Sequence, residues 1–81
     1  MLMVTVQLFA SCAEAFGAPT LEIPLEHDST VADLVLRIRS LPAGRALSAS
    51  ARVAVNRKFA PPSQIVCSSD EIAVIPPVAG G

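Results

Sequence analysis

The 81-residue sequence predicts an α+β fold, a mixed sheet of four to five strands crossed by one main helix. Three observations predict it. The first and last apolar stretches have the pattern of strands, one middle stretch repeats its apolar residues at helical spacing, and the order reads strand, strand, helix, strand, strand. A single amphipathic helix has to bury its stripe, and the economical surface for it is one face of a sheet.

"MVTVQLF" opens the chain with Val4, Val6 and Leu8 on one face and Thr5, Gln7 and Phe9 on the other. That alternation predicts a strand with one face in the core. "SCAEAFG" predicts a short helical turn with Ser11 as N-cap and Gly17 as its stop. "TLEIPLE" alternates Leu21, Ile23 and Leu25 against Thr20, Glu22 and Glu26. Pro24 cannot donate to a ladder, so this is an edge strand.

"STVADLVLRIRSLP" carries the main helix. Val31, Leu34, Val35, Ile38 and Leu41 form one apolar stripe. Thr30 and Asp33 match a capping box; Arg37 and Arg39 suit the negative end of the helix dipole; Pro42 enforces the stop. "ARVAV" is a further strand, followed by an "NRK" turn in which Asn56 takes a left-handed conformation. Phe59 begins a short return strand interrupted by Pro61 and Pro62, and another short strand is expected around Ile65 to Cys67. "EIAVI" is apolar on both faces, as central strands are. Together these elements describe the β-grasp, or ubiquitin-like, arrangement over residues 1–75, with residues 76–81 as an extended tail.

Composition narrows the function. The net charge is -1, basic residues are dispersed, and the aromatic residues are Phe9, Phe16 and Phe59 alone. Nucleic-acid binding is therefore not expected. No stretch approaches about 18 unbroken apolar residues, and the alternating N-terminus lacks a basic signal-peptide start, so a cytoplasmic protein with no membrane role is expected. Cys12 and Cys67 have no CxxC spacing and read as small buried hydrophobes.

The body offers no catalytic constellation. His27 has no partner at ligand spacing and reads as a solvated loop residue, so no metal is expected. Glu14, Glu22, Glu26, Asp33, Asp70 and Glu71 are scattered; Ser48 and Ser50 lie near no base; Gly17 and Gly44 read as turn or cap residues. Arg57 and Lys58 read as a solvated turn. Attention passes to "PPVAGG", Pro76 to Gly81. Pro76 and Pro77 end the ladder and project the chain. Val78 and Ala79 continue it, and Gly80 and Gly81 present a rod free of side chains that fits a narrow tunnel in a partner. A terminal carboxylate is inert until it is activated as an acyl-adenylate or converted to a thiocarboxylate.

"VTVQLFA", "VAVN" and above all "DEIAVIPPVAGG" resemble the small subunit of molybdopterin synthase, the MoaD family, over essentially the whole chain. The resemblance implies a sulfur carrier. A ubiquitin-activator-like, MoeB-like enzyme uses ATP to adenylate Gly81, and a sulfur donor converts it to the thiocarboxylate. The large, MoaE-like subunit then accepts the tail, and the sulfur goes to a cyclic pyranopterin precursor in molybdenum cofactor biosynthesis. Gly81 maps onto the sulfur-bearing, catalytic residue and Gly80 onto the glycine before it. The chain itself binds no cofactor in this scheme. One departure is "SSDEI", where family members commonly carry Asp-Gly before Asp-Glu; a left-handed Ser69 there costs on the order of 1 kcal/mol. A thiamine-type sulfur carrier, a protein modifier conjugated to lysine, and a plain interaction module remain the alternatives.

The alternation also predicts a partner surface. With Val6, Ile72 and Val74 turned inward, Phe9 and Ile75 share the opposite face, and Phe59 completes an apolar patch for the large subunit.

Overall fold

The computed structural model describes residues 2–42 and 51–75. Its elements in chain order are β1 (Leu2–Leu8), α1 (Ala10–Phe16), β2 (Thr20–Leu25), α2 (Val31–Arg39), β3 (Arg52–Val55), β4 (Lys58–Phe59) and β5 (Ile72–Ile75). They form one five-stranded sheet in the order β2-β1-β5-β3-β4. The two strands expected at its middle, β1 and β5, lie side by side and parallel, with Val6 opposite Ile72 and Leu8 opposite Val74. β2 runs antiparallel to β1 at one edge, where Pro24 costs no ladder bond. β3 runs antiparallel to β5 and carries the two-residue β4 at the other edge. The mixed sheet with its crossing helix is the β-grasp architecture.

The inner face packs as the alternation requires. Val4, Val6 and Leu8 of β1, Ile23 and Leu25 of β2, Val53 and Val55 of β3, and Ile72 and Val74 of β5 join Val31, Leu34 and Ile38 of α2 in one buried cluster. Burial of this kind contributes about 25 cal/mol per Å² of apolar surface and is the main support of so small a domain. Val35 and Leu41 pack at its margin rather than inside it.

Both ends of α2 are satisfied. Thr30 Oγ1 accepts from the Asp33 N–H (3.3 Å) and Asp33 Oδ2 accepts from the Thr30 N–H (2.9 Å), which is the expected capping box. The next free donors are taken by a strap formed by the chain after β4: Val31 N–H donates to Gln64 O (2.9 Å) and Ala32 N–H to Pro62 O (3.0 Å). Val66 N–H donates in turn to Ser29 O (2.9 Å), and the Val66 side chain is fully buried.

The strap corrects the strand expected around Ile65 to Cys67. Only an isolated bridge between Thr30 and Ile65 forms there. Its carbonyls are already engaged by the helix start, and Pro61 and Pro62 have no N–H to give to a ladder. Three further expectations change. α1 begins at Ala10 with Phe9 as its N-cap and no side-chain capping bond, so Ser11 lies inside the helix. Gly17 does end α1 in the left-handed conformation (φ 71°), and Ala18 N–H reaches back to Ala13 O as in a Schellman motif. Cys67 is exposed rather than buried, because the neighbouring Val66 takes the inward position. Ser69 does not adopt a positive φ; among the described residues the left-handed non-glycine positions are Asp28, Asn56 and Arg57. The strain considered for "SSDEI" is therefore absent. Gly44, Ser48 and Ser50 lie outside the described residues, as does the side chain of Cys12.

Candidate functional site

The pleat that sends Ile72 and Val74 inward sends Ala73 and Ile75 to the opposite face of the sheet. Their register partners on β3, Ala54 and Arg52, share that face, and so does Phe59 of β4, which pairs with Ala54. Phe9, one residue past β1, faces the same way. The three residues expected to form a partner surface, Phe9, Phe59 and Ile75, therefore come together.

They surround a depression of about 310 Å³ whose remaining lining is Gln7, Ala54, Arg57, Glu71 and Ala73. Phe9 is 46% and Phe59 57% exposed, large values for apolar residues on a chain this small. The Arg52 guanidinium stands over the Phe59 ring, 4.8 Å from its centroid, and holds one wall in place. Arg57 Nε and Glu71 Oε2 lie 3.7 Å apart on the rim. With both side chains largely in solvent, that pair adds little stability.

A hydrogen-bonded clamp fixes the rim, and no sequence pattern had indicated it. The turn between β3 and β4 has two consecutive left-handed residues, Asn56 (φ 54°) and Arg57 (φ 71°), the type I′ geometry that matches strand twist. Asn56 Nδ2 donates to Asp70 Oδ1 (3.0 Å), and Asn56 Oδ1 accepts from the Glu71 N–H (3.0 Å). The Asn56 N–H donates to Glu71 O (2.7 Å), and Asp70 Oδ2 accepts from the Cys67 N–H (2.8 Å). Asn56 and Asp70 thus tie the β3–β4 turn to the chain entering β5. The signal available in the sequence was an Asn in a tight turn and an acidic residue two places before a buried strand, but their pairing across 14 positions needs the sheet order.

Chemistry on the body itself is sparse. Among the described residues no group of His, Cys, Asp and Glu is placed to hold a metal ion, and no helix is long and apolar enough to cross a membrane. His27 is exposed in the turn before α2. The expected tail residues Pro76, Pro77, Val78, Ala79, Gly80 and Gly81 lie outside the described residues, and the strand that leads to them, β5, is the central strand of the sheet.

Relatives place this arrangement. The molybdopterin synthase sulfur carrier subunit of Arabidopsis thaliana is 35% identical over 96% of this chain and 82% of its own length. Among solved structures, SAMP1 of Haloferax volcanii, a small archaeal modifier protein, superposes with a TM-score of 0.80 at 28% identity, covering 98% of this chain and 99% of that one. A complex of subunits 1 and 2 of the molybdopterin-converting factor of Helicobacter pylori contains a chain with TM-score 0.71 and 18% identity, covering 99% and 100%, a likeness of fold. The match to the ThiS family spans residues 6–81, and the chain belongs to that family, as a ubiquitin-like sulfur carrier of the ThiS/MoaD type.

Proposed function

We propose that the chain is the sulfur-donating small subunit of a molybdopterin synthase and that Gly81 bears the sulfur. The observation that carries this reading is the family match, which runs through residue 81 and so includes the Gly-Gly pair. The Arabidopsis relative supports the choice of pathway. In this reading a MoeB-like adenylating enzyme joins the Gly81 carboxylate to AMP, with pyrophosphate released from ATP. A sulfur nucleophile from the donor displaces AMP and leaves the thiocarboxylate. A MoaE-like large subunit takes up Pro76–Gly81, and the sulfur passes to cyclic pyranopterin monophosphate. ATP belongs to the activating partner, the chain holds no cofactor of its own, and the chemistry runs in the cytoplasm. The apolar outer face supports docking beside the tail: Ile75 is both a wall of the depression and the last residue before Pro76.

The likeness to SAMP1 favours a second reading, in which the activated Gly81 is joined to a lysine of another protein. Intact mass after incubation with ATP, the adenylating enzyme and the sulfur donor separates the two. Replacement of one oxygen by sulfur is expected; a conjugate to lysine without any thiocarboxylate would replace the carrier reading with the modifier one. The transfer assay adds a sharper test. A thiocarboxylated chain lacking Gly81 falls short by one residue, about 3.5 Å. Reacting groups need approach to roughly 3–3.5 Å, so molybdopterin formation is expected to be almost abolished. A normal rate from that variant would exclude Gly81 as the sulfur-bearing position.

A further inference from the structure

We propose that Ala54 and Ala73 are specificity-determining residues: their methyl groups floor a socket that receives one bulky apolar side chain of the large subunit, next to an acidic residue of that partner. This rests on the sulfur-carrier reading above and adds what the docking face selects.

Residue size is distributed unequally across the sheet. On the inner side, β3 and β5 present Val53, Val55, Ile72 and Val74. On the outer side, the same two strands place alanine opposite alanine at the register pair Ala54–Ala73. Alanine is a poor strand former compared with valine or isoleucine, so local propensity does not explain the pair. Its geometric effect is plain. Ala54 is only 6% exposed although no helix covers that side, because Phe9, Phe59 and Ile75 rise around it.

The socket keeps its shape without an occupant. Arg52 steadies Phe59 by its cation–π contact, and Asn56 and Asp70 fix the opposite rim. Among the described residues no buried side-chain nitrogen or oxygen lacks a partner, so the floor offers no unsatisfied polar group. An apolar knob suits it, and a side chain seated in such a desolvated pocket is the usual anchor of an interface. The rim sets its neighbour. Arg52 and Arg57 outnumber Glu71 there, and Arg57 is paired with Glu71 only loosely at 3.7 Å. A carboxylate beside the knob complements that balance.

Position in the chain selects the occupant. Ile75 is followed by six residues to Gly81, which span at most roughly 20 Å. A protein that holds Gly81 in its active site is therefore within that distance of the socket.

The test is titration of the purified full chain with purified large subunit, for wild type, Ala73→Leu, Ala73→Val and Ala73→Gly. Valine suits a strand and keeps the fold measurable if leucine does not, with far-UV circular dichroism and thermal melting as controls. Ala73→Leu is expected to weaken binding at least tenfold and Ala73→Val several-fold. Ala73→Gly leaves the socket open and is expected to bind within threefold of wild type. If wild type binds and the folded filling variants bind equally well, the socket is wrong and the carrier reading stands. If wild type does not bind the large subunit, the carrier reading fails and the socket falls with it.

Discussion

The two faces of the one sheet differ in almost every respect that matters. The inner face is a continuous layer of Val, Leu and Ile closed by α2, with Val4, Val6, Leu34, Ile38 and Ile72 at 0% exposure. The outer face, built by the intervening residues of the same strands, has alanine at its centre and partly exposed phenylalanine at its margin. A pleat of period two makes this division obligatory, since a slip of one residue would exchange the two sets. Stability is therefore concentrated on one side, and the other is left free to be shaped for a partner. Substitutions on the two sides should fail in different assays.

The largest effect is expected for Ile72→Ala. Ile72 sits on the central strand between Val6 and Val55 and is fully buried. Truncation leaves a cavity and should cost about 2–5 kcal/mol, a large share of the 5–15 kcal/mol typical of a whole domain. Chemical denaturation measures it; a loss below about 1 kcal/mol would mean the inner face is not where stability resides. Phe9→Asp is the outer-face counterpart. It removes an exposed wall of the depression and introduces a charge that the partner must desolvate. Affinity for the large subunit should fall by at least about tenfold, or roughly 1.4 kcal/mol, while the unfolding free energy stays within about 0.5 kcal/mol of wild type. Equal effects of both substitutions on stability would erase the distinction between the faces.

Much of this contrast was legible from residue order. Alternation in "MVTVQLF" and "EIAVI" assigned Val6, Ile72 and Val74 to one side and Phe9 and Ile75 to the other, because side-chain direction in a strand is purely local. Helical spacing located α2 and its cap for the same reason. The features that escaped depend on contacts between distant segments. Val66 enters the core from a strap rather than a strand, and its role follows from the carbonyls that α2 draws on, not from its own neighbours in sequence. The outward turn of Cys67 is a consequence of Val66. The clamp between Asn56 and Asp70, and the alanine floor between Phe9 and Phe59, exist only once β3 lies beside β5.

The smallest effect sharpens the comparison from the far side of the helix. Thr30→Ala removes the hydroxyl that accepts from the Asp33 N–H and leaves one early donor of α2 without its partner. The loss of a Thr cap typically costs about 1 kcal/mol. For a domain of this length that corresponds to a fall of about 4–8 °C in Tm. The backbone bond from the Thr30 N–H to Asp33 Oδ2 does not need the hydroxyl, so the box is halved rather than lost. Thr30→Ser keeps the acceptor and should melt near wild type. Thr30 and Asp33 share one network, so Thr30→Ala combined with Asp33→Ala should cost less than the sum of the single changes. None of these changes reaches the outer face, and affinity for the large subunit measured well below the melting range should remain that of wild type. A cap variant that melts earlier but also binds more weakly at low temperature would show that the inner layer transmits its state to the docking face.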